Sequence, residues 1–207
     1  CLHGCERKAQ ILRGASSRPS LIKTSRDIRL FRFDRRRIMV VSCDSAGGIG
    51  PKTLDRVKVD GRTVGRFTAR VALMEALSAG ADPICLANTL AVEPEPTGIQ
   101  IIKGIRDEVR DARLDSRIIM IQSTEKNIPV SQTGVGVTVV GTATSRSLKI
   151  GRCRPGDAVV AIGIPHVGDE VMIAEKERKI PDTRDVCGLL SLPFIHEIIP
   201  VGSQGIL

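Results

Sequence analysis

The segment from Ile38 to Lys52 combines residue types that could bind a metal-bound polyphosphate. Ile38–Cys43 is an apolar run typical of a buried strand, and the residues after it are Asp44, Gly47, Gly48, Gly50 and Lys52. Glycines let backbone N–H groups approach anionic oxygens closely, and a lysine adds positive charge toward the same anion. Pro51 excludes a Walker P-loop, whose glycine-lysine pair is uninterrupted. A plain turn after a strand is the alternative.

Three carboxylates are predicted at strand or helix positions that one edge of a sheet could bring together: Asp44, Glu75 and Glu125. Glu75 lies within a helix pattern, and Glu125 lies in the polar stretch Gln122–Asn127 between two predicted strands. Mg²⁺ bound to phosphates takes one or two protein carboxylates and completes its shell with water and phosphate oxygens. We therefore expect the three acids to hold Mg²⁺, while Lys52 or Arg70 neutralises phosphate charge.

The elements that would position these residues alternate in an α+β order. Strands are predicted over 28–33, 38–43, 83–92, 117–121 and 134–141, and helices over 61–79 and 97–112. The first helix has apolar residues at helical spacing and Gly80 at its predicted end. This order indicates helices on one side of a mixed or mainly antiparallel sheet.

The chain divides into three predicted parts: a basic leader over 1–25, a domain over 26–150, and the beginning of a second α/β domain over 151–207. In the last part we expect strands over 158–163 and 195–201 with a helix over 167–179. The second domain is expected to be incomplete at residue 207. The leader lacks sustained periodicity and is expected to be disordered.

Charge is concentrated near the N-terminus. The formal net charge is +8, and 11 of the 31 Lys and Arg residues lie in residues 1–37, so residues 38–207 are neutral. The chain has no Trp or Tyr and four Phe, so it lacks the stacking residues of single-strand nucleic-acid modules, and nucleic-acid binding is not expected. Six scattered cysteines without a C-x-x-C pair suit a reduced, cytoplasmic protein, and no apolar run is long enough to span a bilayer.

The order of motifs resembles the aminoimidazole ribonucleotide (AIR) synthetase, or PurM-like, superfamily. Asp44–Lys52 resembles its D-G-V-G-T-K motif with an insertion, and Met74-Glu75 stands five residues before Gly80–Pro83, as N-D stands before G-A-x-P. Ser123–Lys126 loosely matches G-G-[DE]-T. The resemblance covers about 28–163 and implies a PurM-like N-terminal domain, the start of a PurM-like C-terminal domain, ATP and Mg²⁺ as cofactors, and a homodimer.

The resemblance also implies roles for individual residues. Asp44 and Lys52 would be catalytic, and the metal ligands would be Asp44, Glu75 and Glu125. The nucleotide-binding residues would be Asp27, Gly47, Gly48, Arg70, Glu125 and Asn127.

Within the superfamily, the sequences of three segments are similar to those of the α-ribazole kinases of cobamide salvage: Gly65–Glu75, Glu95–Gly98 and Ser123–Asn127. The expected function is therefore ATP- and Mg²⁺-dependent phosphorylation of a small riboside. The alternatives are an AIR synthetase-like enzyme, a thiamine-monophosphate kinase-like enzyme, and a truncated non-catalytic homologue.

Overall fold

The computed structural model describes residues 20–22, 27–202 and 205. Within these residues the chain forms eight strands and four helices. The strands are β1 (Ser20–Ile22), β2 (Ile28–Arg32), β3 (Arg37–Gly47), β4 (Ile49–Gly50), β5 (Val57–Lys58), β6 (Asp82–Leu90), β7 (Ile119–Thr124) and β8 (Gly134–Thr144). The helices are α1 (Gly61–Ser78), α2 (Ile99–Asp111), α3 (Glu170–Lys176) and α4 (Thr183–Leu190).

Six strands form one mixed sheet in the order β1-β2-β3-β8-β6-β7, and β4 and β5 form a small parallel pair. β6 and β7 are parallel, whereas every other neighbouring pair in the large sheet is antiparallel. Because β3 and β6 both run antiparallel to β8, strands β3, β6 and β7 all point the same way. Their carboxyl ends therefore lie at one edge of the sheet.

The alternating burial of side chains along β3 shows which face of the sheet is buried. Ile38, Val40 and Ser42 are almost fully buried, and the Ser42 hydroxyl donates to the Ala72 carbonyl of α1 at 2.7 Å. Every second residue of a strand shares a face, so this is the face that the helices cover. The predicted placement of helices on one side of a mixed sheet is confirmed.

The helix α1 has a clear start and end. The Asp60 carboxylate accepts the Thr63 N–H at 2.7 Å, and Gly80 adopts a φ of +79° directly after the last turn. α2 packs against α1 so closely that a Cβ at Gly65 would lie 2.0 Å from the Ile101 carbonyl oxygen. The two helices form one layer over the sheet, with a core of Leu73, Leu86, Ile101 and Ile105.

Two strand predictions for the C-terminal part of the chain were wrong. Residues 158–163 and 195–201 form no strand, since no described strand pairs with them, and Val159 is 98% exposed. Instead, α3 and α4 pack on the helix layer, partly in agreement with the helix predicted over 167–179. Ser20–Ile22 pairs with β2 although it falls in the predicted disordered leader; residues 1–19 and 23–26 lie outside the described residues.

No helix in the described part of the chain combines the length and apolar content needed to cross a membrane.

Candidate functional site

Three loops meet at the edge of the sheet where β3, β6 and β7 end. They comprise residues 48–56, 91–98 and 125–133. A cleft of about 410 Å³ lies among them, lined by Pro51, Lys52, Thr53, Glu93, Pro96, Thr97, Gln100 and Val130. A second cleft of about 330 Å³ shares Lys52, Glu93 and Val130 with the first and extends along the loop from Glu125 to Pro129. Both volumes suit a small-molecule ligand.

The two clefts share an ion pair between Lys52 and Glu93. The Lys52 ammonium contacts Glu93 Oε2, and the Thr97 hydroxyl donates to Glu93 Oε1 at 2.5 Å. Burial raises the pKa of Glu93, but the hydrogen bonds from Lys52 and Thr97 outweigh it and hold the pKa below its ordinary value. Glu93 is therefore ionised at neutral pH, and its charge offsets that of Lys52.

Asp55 fixes the backbone that carries Lys52. This 5% exposed carboxylate accepts the Lys52 N–H and the Thr133 N–H, each at 2.7 Å, and the Thr133 hydroxyl also donates to it at 2.7 Å. Gly50 has a φ of +149°, and a Cβ there would lie 2.4 Å from the Thr133 hydroxyl oxygen. The loop is therefore held by buried hydrogen bonds, and the Lys52 side chain extends from a fixed base.

Glu125 lies at the second cleft, immediately after β7. Its Oε1 accepts the Asn127 N–H at 2.7 Å and the Ile128 N–H at 3.2 Å, and these hydrogen bonds lower the pKa of the carboxyl group. Asn127 is exposed on the same loop. The structure thus places Glu125 and Asn127 at the second cleft together with Lys52, and their roles in binding stay a prediction.

Asp44 and Glu75 do not line either cleft. Asp44 is within β3 rather than after it, because the strand continues to Gly47, and it shares the helix-covered face with Ser42. Burial raises the pKa of its carboxyl group. Glu75 is 9% exposed within α1. The prediction that β3 ends at Asp44 was wrong, and the structure places Asp44 on the helix-covered face of the sheet and Glu75 at a buried position of α1.

Arg70 requires a correction as a nucleotide-binding residue. Its side chain is 3% exposed and lies among the helices, where it donates to Glu108 and, through two nitrogens at 2.7 and 2.8 Å, to Glu175. Burial lowers the pKa of Arg70, but the hydrogen bonds to Glu175 and the charge of Glu108 raise it overall. With both carboxylates already paired to it, this guanidinium is not presented to a ligand in the clefts.

The remaining predicted residues, Gly47, Gly48 and Asp27, line neither cleft. Gly48 has a φ of +69°, and its N–H donates to the Thr133 carbonyl at 2.9 Å, so this N–H is not offered to a phosphate. Gly47 is the last residue of β3, opposite Gly134. Asp27 is exposed one residue before β2.

The described residues contain no group of three or more His, Cys, Asp or Glu side chains that could hold a metal ion. The three predicted ligands therefore do not form a ready-made site in the single chain, and their metal role stays a prediction. Glu125 does fit a Mg²⁺ ion carried by a phosphate ligand, since such an ion needs only one or two protein carboxylates and the pKa of Glu125 is lowered.

Sequence reasoning missed Glu93, Thr97 and Asp55. A signal existed for the first two, because Glu93 and Thr97 lie in the short segment between β6 and α2, where a carboxylate and a hydroxyl stand near the helix start. Asp55 stands three residues after Lys52, a spacing that lets a carboxylate cap a turn. Its pairing with Thr133, 78 residues away, has no local signal.

The fold and its site define an α+β protein with a ligand cleft at the carboxyl edge of a mixed sheet. The family model described as "AIR synthase related protein, N-terminal domain" matches residues 25–164, and the chain belongs to this family. No curated protein sequence is significantly similar to the chain.

Several solved structures resemble this one. ThiL, the thiamine monophosphate kinase of Aquifex aeolicus, complexed with AMPPCP and TMP, matches with a TM-score of 0.48 and 15% identity over 81% of this chain and 53% of that chain. A HypE–HypF complex gives a TM-score of 0.48 and 18% identity over 80% and 54% of the two chains. PurL of Thermotoga maritima, complexed with ATP, gives 0.45 and 14% over 79% and 26%. The chain spans about half of the first two structures and about a quarter of the third.

Proposed function

We propose that this protein is an ATP- and Mg²⁺-dependent phosphotransferase that acts on a small riboside. The observation that carries the proposal is that Lys52 lines two adjoining clefts, one with Thr97 and the other with Glu125, in a chain of the AIR synthase-related family. Lysine and hydroxyl groups at a helix start suit phosphate oxygens, and an ionised carboxylate suits the accompanying cation.

Phosphoryl transfer needs positioning and charge stabilisation more than a covalent nucleophile on the protein. In this proposal Lys52 orients and neutralises the phosphates, and the loop held by Asp55 keeps that lysine in place. Asn127 lies beside Glu125 and is available to a polar group of the ligand. Mg²⁺, held by Glu125 with Asp44 and Glu75 as further predicted ligands, would supply charge neutralisation at the phosphates.

The proposed acceptor is α-ribazole. The similarity of Gly65–Glu75 and Ser123–Asn127 to α-ribazole kinases supports it. The neutral charge of residues 38–207 also favours an uncharged riboside over a phosphorylated substrate. The competing candidates are an AIR synthetase-like enzyme, a thiamine-monophosphate kinase-like enzyme and a non-catalytic homologue.

An ADP-release assay tests the proposal with α-ribazole, an aminoimidazole precursor and thiamine monophosphate offered in parallel. We expect turnover with α-ribazole. Lys52→Gln should lower the rate by about 100-fold or more, since it removes a charge on the phosphates.

The matched control for this substitution is Lys103→Gln, which changes a charge on an exposed surface of α2. Turnover of thiamine monophosphate or the aminoimidazole precursor without α-ribazole activity would assign the chain to another branch of the family. Absence of ADP release with every substrate would favour the non-catalytic homologue.

A further inference from the structure

The groups around the Glu93 carboxylate are ones that would also bind another oxyanion. The Lys52 ammonium contacts one of its oxygens and the Thr97 hydroxyl donates to the other. Thr97 is 3% exposed, and α2, a helix of 13 residues, begins two residues after it. A cation, a hydroxyl donor and the positive end of a helix dipole together favour a bound anion. The chain itself supplies that anion.

The backbone of Lys52 is fixed by hydrogen bonds, whereas the side chain of Glu93 is the more exposed of the two. The Lys52 backbone is fixed by the Asp55 carboxylate, and the Lys52 carbonyl accepts a hydrogen bond from the Lys58 ammonium. The Glu93 side chain is 32% exposed, compared with 19% for Lys52. Glu93 can therefore turn toward solvent by side-chain rotation, where water solvates its charge, and leave Lys52 and Thr97 in position.

A phosphate group carries more charge than a carboxylate and has more acceptor oxygens. It can accept from Lys52 and Thr97 at once and leave a further oxygen for another donor in the cleft. An uncharged ligand gains nothing from Lys52 that would offset the loss of the Lys52–Glu93 contact. The Lys52–Glu93 ion pair therefore opposes binding of a neutral ligand more strongly than binding of an anionic ligand.

We propose that Glu93 is a displaceable internal occupant of a phosphate subsite formed by Lys52 and Thr97, and that a phosphate-bearing ligand binds by replacing the Glu93 carboxylate. This inference rests on the proposed function only in taking phosphate as the ligand chemistry. It makes Glu93 an autoinhibitory residue that lowers the affinity for anions.

Calorimetric titration with inorganic pyrophosphate tests the inference without any turnover. Glu93→Gln keeps the size of the side chain and removes the competing charge. Because ion pairs of this exposure contribute up to about 1 kcal/mol, we expect pyrophosphate to bind about two- to fivefold more tightly to the Glu93→Gln variant. Lys52→Gln should abolish binding in either background.

The control is Glu95→Gln, which removes an exposed carboxylate two residues away that contacts neither Lys52 nor Thr97. The affinity of the Glu95→Gln variant for pyrophosphate should equal that of the unaltered protein. Equal tightening in both variants would indicate a general charge effect and overturn the inference, as would unchanged or weaker binding in Glu93→Gln with an unaltered thermal transition. Loss of the transition in Glu93→Gln would show that Glu93 is needed for folding and would equally overturn its displacement by ligand.

Comparison of the pyrophosphate titrations with the turnover assay distinguishes failure of the phosphate subsite from failure of the phosphotransferase proposal. If no substrate is turned over but Glu93→Gln still tightens pyrophosphate binding, the phosphate subsite stands and the phosphotransferase assignment fails. Absence of pyrophosphate binding in the unaltered protein and in Glu93→Gln overturns the subsite itself.

Discussion

At the residue scale, Asp44 is placed where an ionised carboxylate is poorly solvated. It lies on the helix-covered face of β3, and burial raises the pKa of its carboxyl group above the ordinary value of 3.8. A raised pKa means that the folded state holds the proton more tightly than the unfolded state, so stability falls as pH rises from about 3.8 through the folded pKa. At neutral pH this carboxylate therefore lowers the free energy of unfolding.

We expect Asp44→Asn to raise the free energy of unfolding at pH 7.5, because the amide is neutral at every pH. The gain should shrink as pH is lowered toward 4, where the native carboxyl group also becomes neutral. Urea titrations across this range, with the exposed Asp115→Asn as the control, measure the difference. A gain that is independent of pH would mean that burial of the charge is not its cause.

The same variant separates the structural role of Asp44 from its predicted metal role. If Asp44 holds Mg²⁺, Asp44→Asn should abolish Mg-ATP binding even though the fold becomes more stable, as is usual when a strained functional group is removed. Calorimetry that gives unchanged Mg-ATP affinity would remove Asp44 from the metal site and leave Glu125 as the carboxylate at the cleft.

At the element scale, the four helices are joined by a buried ion-pair network. Arg70 of α1 contacts Glu108 of α2 and Glu175 of α3, and the Thr183 hydroxyl of α4 donates to Glu108 at 2.8 Å. Glu108 has no exposed side-chain surface, so its charge depends on its partners Arg70 and Arg66. The network attaches the segment after residue 151 to the helix layer.

We expect Arg70→Met to lower the free energy of unfolding by about 3–5 kcal/mol, because it removes a partner from a fully buried carboxylate. Glu175→Gln should lower it by about 1 kcal/mol or less, since Glu175 is 28% exposed and Arg70 keeps Glu108. Urea unfolding of the two variants measures both values. Equal losses would indicate that attachment of α3, rather than the buried charge, controls stability.

The elements also show how far the sequence predicted the structure. The amphipathic stripe of α1, the Gly80 terminus and the strand over 134–141 were predicted because their signals are local. The prediction of strands over 158–163 and 195–201 was wrong. Apolar composition suits a strand, but a strand also needs a neighbouring strand to pair with. At the site, Lys52, Glu125 and Asn127 lie at one cleft, whereas Arg70 lies among the helices, where its partner Glu175 is 105 residues away in sequence and left no local signal.

At the scale of the whole molecule, helices cover one face of the sheet and the described residues leave the other partly open. The open face carries apolar side chains from neighbouring strands: Met39, Val41, Val140 and Ile121. An uncovered apolar sheet face is an association surface, and the predicted homodimer would bury it.

We expect light scattering at micromolar concentration to give the mass of a dimer. Val140→Lys should shift it to the monomer, because Val140 lies at the centre of the open face between Val41 and Cys85. Ser116→Lys is the control, since it adds the same charge at an exposed position outside the sheet, between α2 and β7. A monomer mass for the unaltered protein would rule out the dimer at that concentration.

The common direction of β3, β6 and β7 also bears on how this fold could be altered. Each strand ends in its own loop at the site, and residues of all three loops line the clefts. A loop can be lengthened or exchanged at small entropic cost while the strand register behind it is kept. Ligand preference in this architecture can therefore diverge one loop at a time, and grafting the 125–133 loop from a relative would show whether the preference moves with that loop.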